Sequence, residues 1–216
     1  MRAFYSWLLS FFVTVLLVAV CYRWVDRPLA VLAHGVASPR HHGLLVWLTY
    51  IPNPLPPLAI IAAAGLALQV LIGRPWSRLQ TAGFVACLSV IVVEAVKEQL
   101  KFLFGRTWPE SWFGNNPSFI RDGVYGFHFM HGGGGYNSFP SGHMASACTV
   151  LAVLWFWYPR LRRLYAIAGL AVAVGLIGGN FHFLSDVIAG AFVGGSAGWL
   201  AVRLWQAMVP DRYHRA

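Results

Sequence analysis

Six stretches of this chain carry no Asp, Glu, Lys or Arg: Tyr5–Tyr22, Leu55–Gly73, Leu79–Val93, Met144–Tyr158, Leu164–Phe181 and Val187–Val202. A bilayer is crossed by about 20 mainly apolar residues in helical form, and each run reaches or approaches that length with its flanks. Lipid forces a spanning segment to satisfy its own backbone, which leaves helices as the economical solution. The whole chain is 58% hydrophobic and 11% charged, where a soluble domain has roughly 25% charged residues. The expected fold is therefore all-α: a polytopic integral membrane protein of six transmembrane helices. It forms one domain over 1–216, with a long loop between spans three and four.

Arg2 gives the first run a positive start, but no small-x-small site follows, so it reads as an uncleaved span. Cys21, Cys87 and Cys148 lie in or beside apolar runs and read as packing residues. Sixteen Lys and Arg face seven Asp and Glu. Such an excess suits nucleic acid in a soluble protein. Here the bases lie between spans and report orientation, so no nucleic-acid partner is expected. Arg2, Arg74, Arg78, Arg160, Arg162, Arg163, Arg203, Arg212 and Arg215 fall on one side. Arg23, Arg27, Arg40, Lys97, Lys101, Arg106 and Arg121 fall on the other, the last four of these near the chemistry described next. With those four set aside, the termini read as cytoplasmic, and the site faces the periplasm or exterior of an inner (plasma) membrane.

Between the first two runs, Leu29–Ala37 and Leu44–Ile51 read as short interfacial helices. The insertion Arg106–Phe139 holds Trp108, Pro109, Trp112, Asn115-Asn116-Pro117 and His131-Gly132-Gly133-Gly134-Gly135-Tyr136. Its Gly and Asn content marks an irregular loop, and a loop of this length in a compact protein is usually a lid or a binding element.

The reactive residues border this loop. His182 and Asp186 are separated by one helical turn, a spacing that lets a carboxylate orient an imidazole for nucleophilic attack. Upstream, Phe139-Pro140-Ser141-Gly142-His143 opens the fourth run. Free N–H groups at a helix start attract phosphate, Gly142 allows close approach, and His143 is suited to proton transfer. Ser141 also fits as a helix cap. At the end of the third run stand Glu94, Lys97, Glu98 and Lys101. Lys101 is the favoured functional residue of the four, and Glu94 is read as a structural partner of Lys97. His128 and His131 read as loop residues, so neither a metal nor another cofactor is expected.

The order Lys…Arg…Pro, Pro-Ser-Gly-His and His-x-x-x-Asp resembles the type 2 phosphatidic acid phosphatase (PAP2) family, over roughly Tyr5 to Trp205. The resemblance implies that His182 accepts the phosphoryl group, His143 protonates the leaving group, and Lys101, Ser141 and Gly142 hold the phosphate. Asp186 orients His182. Two arginines of the family pattern are missing: Trp108 and Leu176 stand at their positions, and Gly175 stands where the pattern has Ser. Arg106 is the expected substitute for the first, with Arg121 in the loop a weaker one and Asn180 an additional donor.

The reading is an integral membrane phosphatase acting on a membrane lipid phosphate or pyrophosphate through a phosphohistidine, independent of metal. Polyprenyl pyrophosphate, phosphatidic acid, phosphatidylglycerol phosphate and lipid A are the candidate substrates. The alternatives are a lipid phosphotransferase of the same fold and a non-catalytic headgroup binder or transporter. Oligomeric state is not legible.

Overall fold

A computed structural model describes residues 1–36, 39–111 and 115–209, with the side chains of residues 36–42 left aside. Trp112, Arg212, Arg215 and the Arg40 side chain thus lie outside the described residues. The chain is all-helical: α1 (Arg2–Val20), α2 (Asp26–Val36), α3 (Pro39–Tyr50), α4 (Leu55–Leu71), α5 (Arg78–Phe104), α6 (Phe119–Asp122), α7 (Gly142–Trp157), α8 (Arg162–Gly178) and α9 (Leu184–Met208). Among the described residues the only β structure is three isolated bridges.

Five helical stretches are long and apolar enough to cross a membrane: Arg2–Gly35, Gly43–Leu71, Arg78–Phe104, Pro159–Gly178 and Leu184–Met208. Gly142–Trp157 is equally apolar but shorter, at 16 residues. The expected interfacial pieces are helical, but they are not separate from the spans. A π-helical turn, Cys21–Val25, joins α1 to α2, and a turn at 51–54 joins α3 to α4. Outward-facing Leu9, Phe12, Ile60, Ile61, Ile167 and Leu170 are all more than half exposed. Only a lipid environment removes that much apolar surface from water.

Local sequence explains the helix ends near the site. Ser77 and Gln80 form a reciprocal capping box at the start of α5. At its end Gly105 adopts φ 54, and a Cβ there would lie 1.9 Å from the His128 carbonyl oxygen, so only glycine fits. The Ser141 hydroxyl caps α7 by accepting from the Met144 N–H.

The α7–α9 pair is the heart of the bundle. α5 packs on α4, α7 and α9, α1 packs on α9, and α3 packs on α8. Gly190, Gly194 and Gly198 recur every fourth residue of α9. A Cβ on each would come within 2.4, 2.0 and 2.5 Å of the carbonyl oxygens of Ser141, Ala145 and Thr149 on α7. This stripe of small residues lets the two backbones touch, as interfaces between membrane helices favour. It also brings the N-terminal ends of α7 and α9, with His143 and Asp186, to one place. Beneath them Met144, Ala147, Val172, Leu176 and Val187 form an apolar cluster. Leu176, at one of the missing-arginine positions, is fully buried in it.

The described residues of the segment 105–141 follow an irregular path that is tied to its surroundings. Backbone bridges tie Arg106 to Phe127 and to Asn137, and Trp108 to Ser118. The His128 N–H donates to the Gly105 carbonyl at 2.8 Å, and the Met130 N–H to Leu103 at 3.0 Å. Glycine supplies backbone freedom for these close turns rather than disorder.

Candidate functional site

Where α4, α5 and α7 converge under the 105–141 segment, a cavity of about 160 Å³ is lined by Pro52, Asn53, Pro56, Lys97, Lys101, Trp108, Gly142, His143, Ser146 and His182. It brings together His182, His143, Lys101 and Gly142 of the expected site. A larger cleft of about 540 Å³ between α1, α5 and α9 is lined by apolar side chains apart from Thr14 and Tyr22, and lacks the groups this chemistry needs.

His182 sits in the short turn between α8 and α9 and is buried. Its ring faces that of His143 edge-on, with centroids 6.4 Å apart. Trp108 covers it from the 105–141 segment, with centroids 5.1 Å apart, and the Trp108 indole N–H is anchored to the Gly134 carbonyl at 2.7 Å. At the position of a missing arginine, then, stands an aromatic plate over the imidazole.

Asp186 lies behind His182. Its Oδ2 is 3.5 Å from His182 Nδ1, accepts from the Ser138 hydroxyl at 2.6 Å and accepts from the Phe183 N–H at 3.0 Å. Asp186 therefore caps the start of α9 and faces the histidine with the same carboxylate oxygen. Ser138, 3.5 Å from His182 Nδ1, is a bridging residue that sequence reasoning missed. It lies two residues before the Pro-Ser-Gly-His run, and no pattern marks it.

Arg106 lies on the far side of Asp186. It is completely buried and does not line the cavity. Its Nη1 pairs with Asp186 Oδ1 at 2.5 Å and its Nη2 with Asp26 Oδ2 at 2.7 Å. Phe183 and Phe127 present their rings to the guanidinium at 4.4 and 4.9 Å. Burial alone would lower its pKa, but the carboxylates of Asp186 and Asp26 outweigh burial and hold it above the ordinary value. Both ends of the fork are already engaged, so this guanidinium is not free to replace the missing phosphate ligand. Arg121 is also engaged elsewhere, pairing with Asp122 at 2.8 Å on the surface. Asn180 bonds the Glu110 carboxylate at 3.0 Å and the Ala30 carbonyl at 3.2 Å.

The cations that do line the cavity are lysines on successive turns of α5. Lys97 pairs with Glu94 at 2.6 Å and Lys101 with Glu98 at 2.9 Å. The Glu94 carboxylate also accepts from the Ser146 hydroxyl at 2.6 Å. Lys97 Nζ is so close to the start of α7 that a Cβ on Gly142 would lie 3.0 Å from it. The Ser141 side chain, by contrast, is fully buried and serves as the α7 cap, while its backbone N–H donates to the Asp186 carbonyl at 3.0 Å. His128 and His131 pack around Tyr136 in the 105–141 segment. Among the described residues no three His, Cys, Asp or Glu side chains converge as a metal site requires.

A buried imidazole backed by a carboxylate, a second imidazole, and two lysines beside a helix start thus stand around one small cavity. The PAP2 superfamily sequence model matches residues 82–209, which span nearly all of α5 to α9. The chain belongs to the PAP2 superfamily. The solved transmembrane PAP2-type phosphatidylglycerolphosphate phosphatase from Bacillus subtilis is similar in fold, with a TM-score of 0.67 and 19% sequence identity. The match covers 96% of this chain and 100% of that one. No curated protein sequence matches the chain.

Proposed function

We propose that this multi-pass membrane protein is a phosphatase that releases phosphate from a lipid phosphate or pyrophosphate. The observation that carries the reading is the pair of facing imidazoles, 6.4 Å apart across a cavity that also holds Lys97 and Lys101. A phosphoryl group seated between them meets a nucleophile on one side and a proton donor on the other. The lysines and the free N–H groups at the start of α7 balance its charge.

In the first step His182 attacks phosphorus through Nε2, while Asp186 holds the Nδ1 side. The nitrogen–phosphorus bond forms, the bond to the lipid oxygen breaks, and His143 gives that oxygen its proton. In the second step His143 takes a proton from water. The water oxygen bonds to phosphorus, the nitrogen–phosphorus bond breaks, and inorganic phosphate leaves. No metal is assigned a role. Six spans are assigned to the single domain: the five long stretches and the shorter Gly142–Trp157. The basic side of the bundle lies in the cytoplasm, and the site opens at the outer face of an inner membrane. The substrate's chains stay in the bilayer.

The test is phosphate release in detergent, with EDTA present, from a panel of lipid phosphates that includes phosphatidylglycerol phosphate. Wild type is compared with His182→Ala. Release by wild type without an added acceptor, and none by the variant, supports hydrolysis through His182. Equal release by both sinks it.

A further inference from the structure

The buried pairing of Arg106 has a second end, and it leads out of the matched family region. Asp26 is the first residue of α2 and is 1% exposed. Its Oδ1 accepts the Ser185 backbone N–H at 3.0 Å. Its Oδ2 accepts from Arg106 Nη2 at 2.7 Å, from the Tyr125 hydroxyl at 3.3 Å and from the Ser185 hydroxyl. The π-helical turn Cys21–Val25 stands immediately before it, and such wide turns are frequent at functional sites. A carboxylate this deep is costly unless it is paired and fully hydrogen-bonded. Asp26 meets that condition entirely with partners from the neighbourhood of Asp186.

We infer that Asp26, acting through Arg106, is a positioning residue for the Asp186–His182 pair. This rests on the reading of His182 as the nucleophile. The geometry divides the Asp186 carboxylate in two. Oδ2 serves His182, Ser138 and the start of α9. Oδ1 is held at 2.5 Å by Arg106 Nη1. Arg106 in turn is fixed at its other fork end by Asp26 and enclosed by the rings of Tyr22, Tyr125, Phe127 and Phe183. Without Asp26 the guanidinium loses one of its two carboxylate partners, keeping the Ser185 and Tyr125 hydroxyls, and its hold on Asp186 Oδ1 loosens, so that Ser138 and the Phe183 N–H on Oδ2 are left to fix the carboxylate. The 3.5 Å approach to His182 Nδ1 is the contact with least to spare. The N-terminal helices, outside the residues matched by the family model, thereby become part of the active-site support.

The substitution Asp26→Asn keeps the shape. It turns one acceptor oxygen into an NH2 donor, so the one oxygen left cannot accept from both Arg106 and the Ser185 N–H. In full-length protein in mixed micelles, with phosphatidic acid and phosphatidylglycerol phosphate assayed separately, kcat should fall on the order of 10-fold or more. KM should stay within about 2-fold, because Asp26 does not line the cavity. Arg106→Gln should lower kcat at least as much, and the double variant should be no worse than Arg106→Gln alone, as expected of residues acting in series. Should Asp26→Asn fail to accumulate, Asp26→Glu reads the same split, since one added methylene displaces Arg106 within a sealed space. A folded Asp26 variant with wild-type kcat overturns the inference, as do losses that simply add or a change confined to KM. Activity retained by His182→Ala, measured alongside, overturns the nucleophile assignment instead, so the two failures are distinguishable.

Discussion

Gly194 and Gly195 are neighbours on α9, and the structure separates them sharply. A Cβ on Gly194 would lie 2.0 Å from the Ala145 carbonyl oxygen, whereas a Cβ on Gly195 meets nothing within 4 Å. Gly194→Ala therefore forces α7 and α9 apart by about 1 Å before the contact becomes tolerable, because a packed interior has no slack to absorb it. Ala145 is two residues beyond His143 in sequence, so the displacement reaches the imidazole almost undiminished. A misplacement of about 1 Å at a reacting group costs up to roughly 10²-fold in rate, and overpacking costs about 1–3 kcal/mol of stability. Gly195→Ala should keep kcat within about 2-fold, and helix propensity favours it by up to about 1 kcal/mol. The assay is kcat for phosphate release together with thermal unfolding in the same detergent. Equal behaviour of the two variants, or wild-type kcat and Tm for Gly194→Ala, would refute the claim that the glycine stripe sets the distance between the catalytic helices.

Lys97→Met and Lys101→Met should each lower kcat/KM by on the order of 10²-fold, since among the described residues they are the only Lys or Arg lining the cavity; near-normal turnover of both would remove the lysines from phosphate binding. His182→Ala should form no acid-labile phosphoenzyme from radiolabelled substrate, while His143→Gln should still form some and turn it over slowly. A phosphoenzyme in the His182 variant would relocate the nucleophile. Turnover should persist in EDTA, because positive charge is assigned to Lys97 and Lys101; loss that zinc or magnesium reverses would reject the metal-independent mechanism. A cysteine replacing the exposed His131 should react with an impermeant thiol reagent in intact cells, and labelling only after lysis would invert the orientation.

The spans and the two histidine motifs were legible because each rests on local pattern. A charge-free run implies a membrane helix whatever surrounds it, and His182 with Asp186 needs only one helical turn to associate. What stayed hidden depends on contacts distant in sequence. Ser138 reaches Asp186 across 48 residues, and Asp26 reaches Ser185 across 159; no periodicity encodes either contact. The joining of the short pieces at 29–37 and 44–51 to the spans was missed for a related reason, since a break in hydropathy need not break a helix.

Arg106 shows most clearly how far spacing carries. Its place beside Trp108 and after Lys101 marks it as a candidate, but spacing cannot tell which side of the His182–Asp186 pair it occupies. The decisive fact is a count of carboxylates. Asp186 engages one end of the guanidinium fork and Asp26, supplied by α2, the other, and the whole side chain is buried away from the cavity. On the proposed reading Arg106 supports His182 rather than binding substrate, and neutralising phosphate charge falls to Lys97 and Lys101 of α5. Each of these is tethered by a glutamate one turn earlier, an arrangement that keeps the ammonium groups in place while the cavity is empty and leaves their remaining donors for the substrate.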